Sequence, residues 1–230
     1  MTRSNEFGQP IGADLGAWKS AEFPSGKSLI GAHTALHRLD ADAHATPLFS
    51  AFEGAPGSLW TYLPYGPFES VDEIASLINF FNEQPDWQPY AIVVENVVLG
   101  FASYIRIDSS GGAIEIGAIT LSPTLQRTTA ATEAIHLMIT ESFALGFRRC
   151  EWKCDDLNAP SRAAAERFGF TYEGTFRNAT HYKGRSRDTA WFAITSDEWP
   201  RLNSSFEAWL DPANFDQAGR QRLSLRQMRG

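Results

Sequence analysis

The sequence predicts an α/β domain in which a mixed, mostly antiparallel sheet is flanked by helices. Two observations carry this. Residues 90–94, 97–107 and 113–121 are apolar runs of strand length joined by the short turns "EN" and "DSSGG", the pattern of an antiparallel meander. Residues 130–145 then take a helical period and residues 147–154 return to strict alternation, so one helix joins two strands that lie parallel through a right-handed crossover.

Size and composition suit one domain with extended ends. The 230 residues exceed the common domain size of roughly 100–150 yet fall short of the length at which chains split. Hydrophobic residues make up 43% and aromatic residues 13%, enough to build a core without disulfide or metal staples. The domain is expected over residues 28–199. Before it lies an arm rich in Gly, Pro and Ser, residues 1–27, and after it a C-terminal helix and tail, residues 200–230.

Along the chain, residues 28–39 read as a strand and 40–53 as a helix capped by Asp40. Residues 70–84 read as a second helix, with Ser70 and Glu73 at capping-box spacing. The helix after the meander carries Ala131, Ala134, Ile135, Met138, Ser142 and Leu145 on one stripe, with Gly146 placed to end it. In the strand that follows, Cys150, Trp152 and Cys154 alternate with Arg149, Glu151 and Lys153. Four strand residues span about 13 Å, beyond the roughly 7 Å that a disulfide bridges, so both cysteines are read as core thiols. Residues 159–168 form a short helix ended by Gly169. Strands near 170–176 and 189–195 flank a polar loop, "RNATHYKGRSRD", and a last helix runs to Leu210.

A formal charge of −7 argues against broad nucleic-acid binding, which favours a basic surface. Locally the balance reverses: residues 147–188 hold nine Lys and Arg against six acids, either a solvated mixed face or an anion site. No apolar run approaches 18 residues and no signal-peptide pattern opens the chain, so the expected setting is cytoplasmic, with no membrane partner. His33, His37, His44, His136 and His181 show no ligand spacing, so no metal is expected. Ser161 lacks a nucleophile-elbow sequence, which removes a hydrolase triad.

The junction "SPTLQRTTAATEA", residues 122–134, joins strand to helix through small and hydroxyl residues. A helix's first turn has backbone N–H groups without partners and a dipole that favours anions, so small side chains there let a phosphate reach the backbone. Gln126, Arg127 and the hydroxyls of Thr128 and Thr129 add donors. The other reading is plain capping by Thr128 or Thr129, completed by Glu133.

This order of elements, with "LNAPSRAAAERFGF" downstream, resembles the GNAT superfamily of acyl-CoA-dependent N-acyltransferases over residues 28–199. Within it the likeness is to the ribosomal-protein N-terminal (serine/alanine) acetyltransferase branch. The resemblance implies a sheet with splayed central strands and acetyl-CoA as co-substrate. The family's pyrophosphate loop, Arg or Gln, two residues, Gly, one residue, Gly or Ala, falls on Gln126, Thr129 and Ala131, with Arg127, Thr128 and Ala130 between. Thr129 stands where glycine is usual. By the same resemblance Ile119 and Leu121 offer backbone to the pantetheine arm, and Asn158 and Ser161 contact that arm or its thioester end.

The implied reaction is direct attack of a neutral primary amine on the acetyl thioester in a ternary complex, with a protein N-terminus or a small-molecule amine as acceptor. Glu115 is the candidate base; alternation places it on the face of Gly117 and Ile119, unless it is an ordinary surface carboxylate. Many members carry a tyrosine acid at the position of Ala165, so Ser161 takes that role here, with Tyr182 or water as alternatives. Trp60, Phe68, Trp87 and Trp191 are read as acceptor-pocket lining or as core. A non-catalytic acyl-CoA sensor or scaffold and a nucleotide-binding domain are the rival classes, and the protein is expected to be a monomer or homodimer.

Overall fold

A computed structural model describes residues 3–230, so the first two residues of the expected arm lie outside the described residues. The strands are β1 (Arg3–Ser4), β2 (Pro10–Ile11), β3 (Leu29–Ile30), β4 (Ala35–Arg38), β5 (Gln88–Val94), β6 (Val97–Asp108), β7 (Ala113–Leu121), β8 (Arg149–Asp155), β9 (Thr171–Tyr182) and β10 (Arg185–Thr195). The helices are α1 (Ala41–Phe52), α2 (Val71–Glu83), α3 (Thr129–Ala144), α4 (Ala159–Phe168), α5 (Trp199–Leu210) and α6 (Leu225–Met228). Eight strands form one sheet in the order β3-β4-β5-β6-β7-β8-β10-β9, antiparallel throughout except for the β7–β8 pair. The expected meander and parallel crossover are both present.

Two apolar clusters lie on opposite faces. Ile114, Ile116, Cys150, Trp152 and Cys154 point toward α3, α4 and α5, while Ala91, Phe101 and Val98 point toward α1 and α2. The helix α3 is buried on more than the expected stripe, because α5 covers it from outside: His136 stacks on Phe206 with ring centroids 4.8 Å apart. The arm wraps the domain, with the Trp18 indole donating to the carbonyl of Gly146 and Ala21 buried in the α3 cluster.

Several expectations change. Residues 28–39 hold two short strands, because the β3–β4 turn is captured by Glu133. Its Oε1 accepts from the N–H of Ala32 (2.9 Å) and its Oε2 from those of His33 (2.6 Å) and Thr34 (2.9 Å). A Cβ on Gly31 would lie 2.3 Å from that carboxylate, so only glycine fits. Glu133 therefore ties the turn to α3 and does not complete the α3 cap.

The second change concerns the polar stretch 177–188, which is strand and not loop. β9 and β10 continue as a hairpin closed by the two-residue turn Lys183-Gly184, both at positive φ (47° and 70°) as the tight right-twisting hairpin turn requires. Its outer half is polar and mostly exposed, with Tyr182 the buried exception, so no hydrophobic alternation marks it in the sequence. At the helix α2 the box closes differently from its spacing: Ser70 caps the N–H of Glu73, but the Glu73 carboxylate accepts from Glu69.

Replacing Glu133 strands three donors, of which that of Thr34 is buried. Glu133→Ala is expected to lower unfolding stability by about 2–3 kcal/mol in urea titration; a loss under about 0.5 kcal/mol would show that the carboxylate does not hold the turn.

Candidate active site

β7 and β8 pair over three residues only, Ala113↔Arg149, Ile114↔Cys150 and Glu115↔Glu151. Beyond them the strands part, although β7 stays paired with β6 to Leu121 and β8 with β10 to Asp155. The cause is a bulge. Between Ser103↔Gly117 and Phe101↔Thr120 the two residues Ala118 and Ile119 oppose Ala102 alone, with Ala118 at φ 49°. A bulge bends its strand and turns the side chains beyond it. The result is a split whose two edges, 116–121 and 152–155, carry backbone groups without a strand partner. Ile119 and Leu121 lie on the first edge.

The bulge also corrects the expected alternation. Ile119 packs into the α3 cluster with Ile114 and Ile116, so it does not share a face with Glu115.

At the wide end, the chain turns through Ser122–Thr128 into α3. Thr128 caps the helix: its Oγ1 accepts from the N–H of Ala131 (3.0 Å) and donates to the carbonyl of Leu125 (2.7 Å). The Gln126 amide turns inward, its Nε2 donating to the carbonyl of Leu121 (3.0 Å). Arg127 takes a positive φ of 63°. Among the described residues the backbone N–H groups of Arg127, Thr129 and Ala130 find no acceptor. Thr129 is half-buried and its hydroxyl makes no hydrogen bond. Three free N–H donors and a helix dipole beside two unpaired strand edges fit an elongated ligand with a diphosphate at one end. The Thr128 cap leaves these three donors free, because it uses the N–H of Ala131.

Across the split, Asn158 caps α4, its Oδ1 accepting from the N–H of Ser161 (3.2 Å). Ser161 does not bond back into its own helix; its Oγ accepts from the Trp152 indole (3.0 Å), which leaves the hydroxyl hydrogen to a sulfur or oxygen acceptor, the Cys154 thiol being one within reach. Burial pushes the neighbouring Cys154 thiol up, against a hydrogen bond with Ser161. Tyr182 is committed elsewhere. Its hydroxyl donates to Asp155 Oδ2 (2.6 Å), and burial and that carboxylate push it up to about 12.

Glu115 stands at the last paired position before the split and is only 3% exposed. It is no surface carboxylate, and its setting is charged. Lys153 Nζ lies 3.1 Å from Glu115 Oε2 and 2.6 Å from Glu151 Oε2, Arg106 Nε lies 3.6 Å from Glu115, and Arg149 bridges Glu151 to Glu173. Burial pushes the Glu115 carboxyl above the ordinary range, opposed by Lys153 and Arg106. Burial acts likewise on Glu151, but hydrogen bonds from Arg149 and Lys153 outweigh it and hold that carboxyl low. Glu115 Oε2 itself accepts no well-aligned hydrogen bond. Lys153, unassigned in the sequence reading, was visible there only as the residue two positions from Glu151 on one strand face.

Of the four aromatic candidates, Trp60, Phe68 and Trp87 pack into the α1–α2 cluster and are core. Trp191 alone reaches the charged group, with Lys153 Nζ 3.7 Å from its ring centroid. Over this face the β9–β10 hairpin tip is tied to both banks. Lys183 Nζ donates to the carbonyls of Trp60 (3.0 Å), Tyr65 (3.1 Å) and Gly66 (2.7 Å), and the Tyr65 hydroxyl meets Thr120 Oγ1 on β7 (2.9 Å).

Residues 34–171, more than half the chain, match the family described as acetyltransferase (GNAT) domain. The chain belongs to the GNAT family. It is similar to a GCN5-related N-acetyltransferase from Brucella melitensis, 39% identical, covering 94% of this chain and 99% of that one with a TM-score of 0.90. It is also similar to a probable GNAT acetyltransferase from Chromobacterium violaceum ATCC 12472, 42% identical over 84% of this chain and 98% of that one, TM-score 0.80. A ribosomal L7/L12 α-N-protein acetyltransferase, RimL, solved in complex with coenzyme A, shares the fold at 21% identity, covering 75% of this chain and 99% of that one with a TM-score of 0.65. This GNAT protein is thus an acetyl-CoA-dependent N-acetyltransferase, with the expected mixed sheet and splayed strands.

A carboxylate placed in the first turn of α3 would repel a diphosphate while remaining compatible with the helix. Thr129→Asp is expected to weaken CoA binding by about tenfold or more in calorimetric titration with an unchanged melting temperature. Unaltered affinity would remove the diphosphate from this turn.

Proposed function

We propose that this GNAT enzyme acetylates the N-terminal amine of a protein, with Glu115 as the group that takes the amine's proton. The observation that carries the reading is the ionic setting of Glu115. Beside Lys153 and Arg106 its rise is held back, which suits an acceptor that is itself easily deprotonated. An α-amino group, with a pKa near 8, meets that condition; a lysine side chain, near 10.4, is harder by about 3 kcal/mol. The shared fold with a ribosomal-protein N-terminal acetyltransferase supports the same acceptor class.

When bound, acetyl-CoA supplies the acetyl thioester. The residues that would hold it are Arg127, Thr129 and Ala130 through backbone N–H groups, Gln126, Thr128 and Ala131 by shaping the turn, Ile119 and Leu121 through the open edge of β7, and Asn158 through its unengaged amide nitrogen. Glu115 accepts the proton that the acceptor ammonium must lose. Ser161, with its oxygen already holding the Trp152 indole hydrogen, directs its own hydrogen to the departing sulfur, a hydrogen-bond donor more than a full acid. Cytoplasmic placement belongs to this proposal, and so does the exclusion of nucleic acid and membrane as partners.

The base must be ionised, so activity falls as pH drops through the raised Glu115 pKa. Glu115→Gln is expected to lower kcat by about 10²- to 10³-fold and to remove that acidic limb, leaving a rate that climbs until the acceptor's own amine deprotonates near pH 8. A variant that keeps the wild-type pH profile would dismiss Glu115 as the base.

A further inference from the structure

The outer half of the β9–β10 hairpin carries cations that form no ion pair among the described residues. From Phe176 to Asp188 it holds Arg177, His181, Lys183, Arg185 and Arg187 against Asp188 alone, in a chain of net charge −7. Among the described residues none of Arg177, Lys183, Arg185 and Arg187 forms an ion pair. Lys183 and Arg185 bond only to neutral backbone carbonyls, those of Trp60, Tyr65 and Gly66 for the first and Thr61 for the second. Their charge is positioned but not cancelled.

Arg187 is the unusual member. It is half-buried, its side chain makes no hydrogen bond among the described residues, and its Nε is shut off from solvent without an acceptor. A guanidinium in that state is costly unless an anion arrives, and its planar fork matches a carboxylate. The protein's own carboxylates nearby are engaged. Asp155 accepts from Tyr182 and from the N–H of Leu157, Asp156 from Arg162 and Thr175, and Asp188 from the N–H of Asn178. Arg185 and Arg187 both stand over the Tyr182 ring, 5.4 and 6.0 Å from its centroid, and Tyr182 is fastened to the end of β8 at the split. The charge of Arg187 also acts on the Cys154 thiol, on the same bank as Ser161. The lysine-held tip lies on the α1–α2 side of the sheet, whereas the diphosphate cradle belongs to α3 on the other side.

We propose that this hairpin selects acceptors whose reacting amine is followed closely by carboxylates, with Arg187 as the residue that binds one of them. The inference deepens the N-terminal reading and rests on it: the acceptor is an N-terminus with Asp or Glu among its first few residues. Screened surface charge in Lys183, Arg185 and Arg177 draws such a peptide in, and Arg187 fixes it by a desolvated contact.

The test compares kcat/KM on two hexapeptides that begin with Ser, one with Asp and Glu at its second to fourth positions and one with Asn and Gln there. A small amino carboxylic acid and its amide run alongside, with wild type, Arg187→Gln and Arg187→Lys. Wild type is expected to favour the acidic peptide by about tenfold or more, less so at high salt. Arg187→Gln should bring the two peptides within about twofold of each other, Arg187→Lys should retain part of the preference, and KM for acetyl-CoA should stay put in both. Equal use of the two peptides by wild type overturns the inference while leaving the N-terminal reading intact. A loss in Arg187→Gln that is the same for both peptides, or a raised KM for acetyl-CoA, also overturns it, since the arginine would then serve the fold or the co-substrate. If neither peptide is acetylated but the amino acid is preferred over its amide and Arg187→Gln erases that preference, the N-terminal reading falls and selection for a carboxylate stands.

Discussion

Everything at the candidate site depends on how briefly β7 and β8 pair. Three parallel pairs, ending at Glu115↔Glu151, hold the two halves of the sheet together, and the bulge at Ala118 then carries β7 away. Unpaired backbone inside a fold is costly, so a sheet opened at its centre has edges that a ligand can pair with. The same bulge turns Ile119 toward α3 and leaves Thr120 facing Tyr65, so one local irregularity shapes both banks.

At the closed end, the charges are arranged to be expensive individually and stable together. Glu115, Glu151 and Glu173 face Lys153, Arg149 and Arg106, equal numbers of either sign. Taking single ions from water costs several kcal/mol, so removing Lys153 leaves the buried Glu115 and Glu151 short of their shared partner, whereas Arg106 and Glu173 lie at the exposed margin. At the hairpin the opposite holds: Arg177, Lys183, Arg185 and Arg187 are gathered without an ion pair among the described residues, and Lys183 and Arg185 meet only neutral carbonyls. Under the proposals made above, the balanced cluster would tune the base and the unpaired cations of the hairpin would discriminate between acceptors.

Much of the fold was legible because burial is one-sided and periodic. β7 and α4 fall where alternation, the Asn158 cap and Gly169 place them. The missing parts share a physical reason: their residues answer to partners remote in sequence. Glu133 looks like the end of a capping box until the β3–β4 turn, about a hundred residues earlier, arrives with three N–H groups. The strands of the hairpin are polar on both faces, so no period announces them. The flip at Ile119 had one sign in the sequence, Gly117 beside Ala118, because a glycine inside a strand often marks a bulge, but a glycine alone does not give the shift of register. Lys153 and Arg187 likewise gain their meaning only from neighbours on other strands. For Thr129 the sequence raised the right question, and the answer is that its hydroxyl and its N–H are both free at the first turn.

The most direct measurement is a crystal structure of the full chain with CoA. The pyrophosphate should lie within hydrogen-bond distance of the N–H groups of Arg127, Thr129 and Ala130, with the pantetheine arm between Ile116–Leu121 and Trp152–Asp155 and its sulfur directed toward Ser161. CoA bound outside the split, or β7 and β8 zipped together beyond Glu115 and Glu151, would contradict it.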